Sequence, residues 1–302
     1  MHIPDGFLST PVWAALNATS AAGVAWLSRG ASRNLEENRI PLLGVMGAFV
    51  FAAQMINFPV GVGTSGHLVG AGLLTFVLGP APAAVVMTAI LAIQALIFQD
   101  GGVLALGANV GNMAIAGTLA AYLPWRFLGA TRFRRLAVFL GSALSVFVAA
   151  LLVLAELSLS GVALPAPILR VSLFLFMLAA VLEGAITLAV MLALEKMHPR
   201  WIQAPRQGSA LPALALAALV LAGFIALFAS PLPDGLEKLA EEAGIAGRAQ
   251  AVLRSPMPDY ELPAGGSEWL RRSAPGLAGV ALTVCVALLL GRVLARQRQG
   301  GA

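Results

Sequence analysis

The sequence predicts an all-α protein that crosses a lipid bilayer many times. Its 302 residues are 59% hydrophobic and only 11% charged, whereas soluble domains carry about 25% charged residues. The apolar residues are gathered into long runs, most of which approach the ~20 residues that a helix needs to cross a bilayer. Because a chain of this composition requires lipid as part of its solvent, we expect a polytopic helical membrane protein.

Nine apolar segments are the predicted transmembrane helices. The third is short and rich in glycine, which is typical of a half-span or a tilted helix lining a cavity. The segments cover residues 9–28, 41–58, 66–79, 81–98, 103–123, 135–157, 168–194, 210–229 and 274–292.

The basic residues predict that the N-terminus lies outside the cell and the C-terminus inside. Short loops rich in Lys and Arg stay on the cytoplasmic side. With the N-terminus outside, most of the 19 basic residues fall in inside loops, and the short outside loops near 59–66 and 99–102 contain none. We therefore expect a multi-pass membrane protein with its N-terminus outside. The same loop placement argues against nucleic acid as the partner of this basic chain.

One long polar segment, about residues 230–273, separates the last two predicted spans and is expected outside. It contains a short stretch with helical character after Asp234, which is a plausible N-cap. The polar linker 195–209 precedes the eighth span. The chain is therefore expected to consist of a seven-helix module followed by two helices that flank an external loop segment.

The first two residues can form a chelating site. The Met1 amine, the His2 amide nitrogen and His2 Nδ1 can close two small rings around one ion, a donor set that suits Ni(II) or Cu(II). The first residues contain Asp5 and no Lys or Arg, so no cleavable signal peptide is expected and Met1 is retained. The alternative is an incidental histidine on a disordered tail.

His67 is the candidate for a fourth nitrogen. It lies at an outside end of a span, between Gly66 and Leu68, on the predicted side of the N-terminus. An ionisable residue at a membrane span is a functional candidate. The alternative is a histidine that hydrogen-bonds to helix-end carbonyls. The third histidine, His198, is expected to be a solvated residue of a basic inside loop.

Further polar residues are candidates for hydrogen bonds around the metal ligands, because metal-bound imidazoles usually donate their second N–H to such groups. Ordinary helix-end hydrogen bonding is the alternative for each of them. They are Asp5, Asn57, Thr64, Ser65, Gln94, Asn109 and Asn112. Two acidic residues near or within spans, Glu156 and Glu183, are predicted to make interhelical contacts or to belong to a pathway or partner surface.

Small residues spaced four apart form two stripes in the first spans. One comprises Ala14, Ala18 and Ala22, and the other comprises Gly44, Ala48 and Ala52. Small residues allow helices to approach closely in lipid. The stripes are therefore predicted either to pack inside the chain or to dock another membrane subunit.

Three motifs carry a resemblance to a known family: MHIPDGFLS at the start, GTSGHL at 63–68 and QDGGVLALGANVGNMA at 99–114. Over residues 1–200 the chain resembles the substrate-binding component of nickel/cobalt energy-coupling-factor transporters, the NikM/CbiM type. Residues 207–302 resemble its small NikN/CbiN-like partner, whose PDGLE signature stands here at Pro233 to Glu237.

The resemblance implies a non-catalytic subunit that captures Ni²⁺ or Co²⁺ as cargo with Met1, His2 and His67, without a resident cofactor. It also implies a place in the cell membrane of a prokaryote, with a separate transmembrane coupling subunit and ATPase subunits as partners. Cobalt-type members often carry a second histidine near the loop histidine, whereas Leu68 and Val69 follow His67 here, which favours nickel. The sequence contains no GxxxxGK[ST] motif, so the chain is not expected to power transport alone.

Two other classes of function remain as alternatives. A self-sufficient secondary transporter or channel would couple metal to protons through Glu156 and Glu183, and an internal repeat would favour it. A membrane metalloprotease would need a zinc motif such as HExxH, which is missing from the sequence, and a histidine set less dispersed than this one.

Overall fold

The computed structural model describes residues 1–61, 63–197, 210–262 and 267–300. The predicted boundary between the two modules, near residues 200–207, and His198 lie outside these ranges. The helices are α1 (Thr10–Asn34), α2 (Ile40–Gln54), α3 (Ala71–Leu78), α4 (Pro80–Ile93), α5 (Leu106–Asn109), α6 (Gly117–Leu128), α7 (Arg134–Leu159), α8 (Ala166–Met197), α9 (Ala210–Gly223), α10 (Gly235–Glu242) and α11 (Glu268–Gly300).

The helical architecture agrees with the prediction, and in the described ranges helices coincide with each of the nine apolar segments. Four are long and apolar enough to span a membrane: Pro80–Phe98, α7, α8 and Glu268–Gln297. The first of these continues α4 through a π-helical turn, Gln94–Phe98. A second π-helical segment, Val110–Ala116, joins α5 to α6. The number of membrane crossings and the orientation stay predictions.

A small β-hairpin departs from the all-α prediction. Strands β1 (Phe58–Gly61) and β2 (Thr64–Gly66) pair antiparallel, with Phe58 opposite Gly66. Gly61 and Gly63 adopt positive φ angles of 108° and 72°, which glycine tolerates and other residues do not. The third apolar segment is accordingly shorter as a helix than its sequence range, because α3 begins only after Gly70.

The C-terminal helices α9 and α11 pack against the N-terminal helices. Helix α2 packs against both α9 and α11, and α11 also contacts α1 and α4. This packing corrects the proposal that the second small-residue stripe docks a partner subunit. Gly44, Ala48 and Ala52 are buried, and a Cβ on Gly44 would lie 3.2 Å from Leu288 of α11. The stripe therefore allows close packing inside this chain.

The first small-residue stripe has a different environment. Ala14, Ala18 and Ala22 are all exposed on one side of α1. This face has no cover from the described part of the chain, so its role as a docking surface stays a prediction.

The N-terminal tail is an ordered part of the core. Met1, Ile3, Asp5 and Phe7 are buried, and this period of two is the one expected of extended backbone. The carbonyl of Ile3 accepts a hydrogen bond from the Gly102 N–H at 2.8 Å. Burial of Ile3, which is 0% exposed, contributes roughly 2 kcal/mol. The alternative of a disordered tail is therefore wrong for this structure.

The helix predicted after Asp234 is confirmed as α10. Asp234 accepts from the N–H groups of Leu236 and Glu237, and the Glu237 carboxylate accepts from the Asp234 N–H in return. This reciprocal capping box satisfies main-chain donors that have no partner within the helix. The apolar side of α10, formed by Leu236, Leu239 and Ala240, is buried, and the helix packs against α8.

Candidate metal-binding site

The chain-terminal amine and the loop histidine meet at one end of the helical bundle. Met1 N lies 3.0 Å from His67 Nε2 and 2.7 Å from Asp234 Oδ2. Two nitrogen ligands that bind one ion at ~2.0 Å and at right angles lie about 2.8 Å apart. The separation of Met1 N and His67 Nε2 is therefore close to that of adjacent ligands of a single ion.

The second predicted ligand residue, His2, lies beside them. Its ring stacks on that of His67, with centroids 5.4 Å apart and an interplanar angle of 12°. His2 Nδ1 lies 3.1 Å from Asp100 Oδ1, while His2 Nε2 is buried without a hydrogen-bond partner among the described residues. Chelation through Nδ1 would therefore replace the contact with Asp100 by a bond to the ion.

Hydrogen bonds between buried side chains and the main chain hold the segment that follows His67. The two carboxylate oxygens of Glu183 accept from the N–H groups of Val69 and Gly70, each at 2.8 Å. The Gln54 carboxamide donates to the Val69 carbonyl at 2.7 Å. These bonds immediately follow His67 in the chain, so helices α8 and α2 determine where its imidazole lies. Glu183 thus has a structural partner that sequence reasoning did not identify.

Two of the polar residues predicted around the site hold the N-terminal tail. Asn109 accepts from the Ile3 N–H at 2.8 Å and donates to the Ile3 carbonyl at 3.1 Å. The buried Asp5 carboxylate accepts from the N–H groups of residues 103–105, just before α5. Neither side chain touches a predicted ligand atom, but together they determine where the tail places Met1 and His2.

The remaining predicted residues are less directly connected to the ligands. Ser65 donates from Oγ to the Leu232 carbonyl at 2.6 Å. Thr64 donates to the Gly61 carbonyl within the hairpin. Gln94 donates to Gln54 at 2.8 Å, and Asn57 lines the cavity beside the histidines. Asn112 lies elsewhere and donates to Glu156 at 2.9 Å.

Two cavities adjoin the ligand residues. A small one of about 30 Å³ is lined by Met1, Ser65, His67 and Asp234 and by apolar side chains, among them Val146 of α7 and Phe176 of α8. A space of this size holds a single water. A larger one of about 840 Å³ is lined by His2, His67, Asp100 and Asp234, among others. Of the predicted ligands, His67 therefore adjoins both cavities, Met1 the small one and His2 the large one.

The electrostatic environment keeps His67 neutral. Burial, followed by the charge of the Met1 amine and the nearby His2, lowers the pKa of His67 to about 4. Burial alone would raise the pKa of Asp234, but the Met1 amine and His67 outweigh it, so this carboxylate titrates below its ordinary range. A neutral imidazole has a free lone pair, which is the form that binds a metal.

Asp100 is part of a hydrogen-bonded chain that ends at His2. Tyr260 donates to Asp100 Oδ2 at 2.6 Å. Burial alone would raise the pKa of Asp100, but His2 and the Tyr260 hydrogen bond lower it well below the ordinary value. Burial and the adjacent Asp100 raise the pKa of Tyr260 well above its ordinary value, so its hydroxyl remains a donor.

Asp100, Tyr260 and the contact of Asp234 with Met1 were missed by sequence reasoning. Asp100 does lie in the QDGG motif, and Asp234 in PDGLE, so both positions carried a signal. Nothing in the local sequence marked Tyr260, which approaches Asp100 across 160 residues of chain.

No group of three His, Cys, Asp or Glu side chains is arranged to hold a metal ion in the described part of the chain. The donor set predicted at the N-terminus is of another kind, because it would combine two imidazoles with the terminal amine and a main-chain amide nitrogen.

Comparison with known proteins identifies the family of each part of the chain. Residues 2–201 match the family model CbiM, described as the cobalt uptake substrate-specific transmembrane region. Residues 209–296 match the PDGLE domain.

Relatives and a solved structure match this chain, one of them over nearly its whole length and the others over a part of it. A protein of Archaeoglobus fulgidus assigned as a fused nickel transport protein, NikMN, is 30% identical over 97% of this chain and 98% of its own length. A fused nickel transport protein NikMN of Rhodobacter capsulatus is 40% identical over 40% of this chain and 35% of its own length. The crystal structure of a truncated transition metal transporter superposes with a TM-score of 0.58 at 32% identity, covering 66% of this chain and 100% of that one. The chain therefore belongs to the CbiM family of metal-transport membrane proteins, in the fused form that carries a PDGLE domain.

Proposed function

We propose that this chain is the substrate-binding membrane subunit of an ATP-driven importer of nickel or cobalt. It captures the divalent ion with the Met1 amine, the His2 amide nitrogen, His2 Nδ1 and His67 Nε2. The observation that carries the proposal is the meeting of the Met1 amine with His67, whose ring stacks on that of His2. A small cavity adjoins Met1 and His67.

The chemistry of these donors favours nickel. Four nitrogens, one of them a deprotonated amide, suit the square-planar preference of Ni(II). Binding releases protons from the amine and the amide, so affinity rises with pH. The tail can impose this geometry because both main-chain groups of Ile3 are hydrogen-bonded: its carbonyl to the Gly102 N–H and its N–H to the Asn109 side chain.

We further propose that the N-terminus faces the outside and that the ion passes to a transmembrane coupling subunit driven by ATPase subunits. The distribution of Lys and Arg among the loops supports the orientation. The exposed stripe of Ala14, Ala18 and Ala22 on α1 supports a docking surface for the coupling subunit. The lack of a GxxxxGK[ST] motif in the sequence supports the need for separate ATPases.

The alternative, a self-sufficient secondary transporter, depended on Glu156 and Glu183 as proton carriers. Glu183 binds two main-chain N–H groups, and Glu156 accepts from Asn112. Both contacts favour a structural role for these carboxylates. Metal uptake in cells that lack ATPase partners would support the alternative.

The decisive experiment uses purified protein with an unmodified N-terminus. We expect stoichiometric Ni²⁺ with the absorption band of a square-planar complex, and a large loss of affinity in His67→Ala. A control is Thr88→Ala, which removes one side-chain hydrogen bond within α4 and no predicted metal-binding nitrogen. Wild-type affinity in His67→Ala would contradict the assignment of this residue as a ligand.

A further inference from the structure

One acidic residue of the PDGLE domain reaches the chain terminus. Asp234 Oδ2 lies 2.7 Å from the Met1 amine. Its other oxygen, Oδ1, accepts from the N–H groups of Leu236 and Glu237, each at 2.8 Å. One carboxylate therefore caps α10 and binds the amine at the same time.

Main-chain contacts hold this carboxylate in place from the CbiM side. The Ser65 N–H donates to the Pro233 carbonyl at 2.8 Å, and the Ser230 N–H donates to the Asn57 carbonyl at 2.8 Å. The segment 230–234 thus runs beside strand β2, which leads into His67. A second hydrogen-bonded route joins the PDGLE domain to the site, from Tyr260 through Asp100 to His2.

An amine that binds a metal keeps two N–H bonds, and these need acceptors in a buried site. Carboxylates outside the ligand set orient metal ligands in this manner, and their loss costs about 10–100-fold in affinity. The Met1 side chain is 9% exposed and that of Asp234 is 16% exposed, so a protein acceptor for the amine lies in a largely buried environment.

We propose that Asp234 is a positioning residue of the metal site: it accepts a hydrogen bond from the Met1 amine and orients that amine toward His67 and the ion. The PDGLE domain is then a structural part of the capture site in addition to any role in transport. The inference rests on the proposed function, because it assigns the amine as a ligand.

Two isosteric substitutions in one helix cap separate this role from general effects. Asp234→Asn removes the charge and keeps an N-cap, since Asn caps helices as well as Asp. Glu237→Gln removes a charge from the same capping box and keeps its hydrogen bond, but Glu237 does not bind Met1. Asp234→Ser is a second variant that also retains a capping oxygen.

The contact is measured first in metal-free protein, by the rate at which an amine-reactive acylating reagent labels Met1. The chain contains only Lys196 and Lys238 as other amines that compete for the reagent, and Lys238 serves as the internal standard. We expect labelling of Met1 to accelerate on the order of tenfold in Asp234→Asn, because a charge-assisted hydrogen bond is lost. Glu237→Gln should label like wild type.

Ni²⁺ affinity is then measured by calorimetry on the same proteins. We expect Asp234→Asn and Asp234→Ser to bind about 10–100-fold more weakly, and Glu237→Gln to bind like wild type. Equal affinity in wild type and Asp234→Asn would overturn the positioning role while leaving the proposed function intact. Absence of Ni²⁺ binding in wild-type protein would overturn both.

Discussion

A short extension before Met1 tests the central geometry. When Gly-Ser-Gly precedes Met1, the free amine moves by up to about 10 Å, since each residue spans 3.3–3.6 Å. Met1 N becomes an amide, and the amine leaves both His67 Nε2 at 3.0 Å and Asp234 Oδ2 at 2.7 Å. Ile3 and Asp5 keep their own partners, and the cavity of about 840 Å³ next to His2 leaves room for the added residues.

The expected magnitude follows from the number of donors. Four-ligand structural zinc sites bind with about 10–16 kcal/mol, which is about 2.5–4 kcal/mol for each ligand. Loss of the amine alone should therefore weaken Ni²⁺ binding by about 10²–10³-fold. Calorimetry measures the affinity, and the same three residues added to the C-terminus provide the control. An extended chain that binds within threefold of the unextended one would refute the assignment of the amine.

Three further predictions concern the groups around the site. Glu183→Gln should lower Ni²⁺ affinity by about 10–100-fold, because it loosens the main chain that follows His67. The control, Glu195→Gln, should leave the affinity unchanged. Equal Ni²⁺ affinities in the two variants would contradict the argument that Glu183 positions His67. Gly102→Ala should destabilise the fold by about 1–3 kcal/mol, because the new Cβ would lie 2.7 Å from the carboxyl carbon of the buried Asp5. Gly247→Ala, whose new Cβ would have no atom within 4 Å, is the control in thermal unfolding. As the pH falls from 6.5 to 4, metal-free protein should lose up to about 3 kcal/mol of its free energy of unfolding. The reason is that His67 is protonated over this range in the unfolded chain, whereas its pKa in the folded protein is about 4. An equal loss in His67→Gln would show that this imidazole is not the cause.

The sequence predicted the helices well because lipid imposes a simple rule on them. A segment in the bilayer must satisfy its main-chain hydrogen bonds internally, so apolar length alone locates most helices. A different local signal located α10, since Asp234 is an N-cap residue and helix-favouring residues follow it. It did not predict the hairpin of residues 58–66, which depends on the φ angles of Gly61 and Gly63.

The candidate ligands were also visible in the sequence. Met1 and His2 are adjacent, so their chelating pattern can be read from two residues, and the glycines around His67 mark an unusual loop. Their mutual distance was not visible, because His67 is 66 residues from Met1 along the chain. That separation is closed only when the tail is anchored by Ile3 and Asn109 and the loop is held by Glu183.

The sequence by itself determined the membrane class, the helical segments and the identity of the proposed nitrogen donors, because each depends on composition or on neighbouring residues. The tertiary structure decided which partners those donors have. Asp234 lies 233 residues from Met1 along the chain, and Tyr260 lies 160 residues from Asp100. Such contacts arise from the packing of α9 and α11 against α2 and of α10 against α8, and no local pattern encodes them. The same packing placed Gly44, Ala48 and Ala52 inside the chain, where the sequence had left a choice between an internal and an external face.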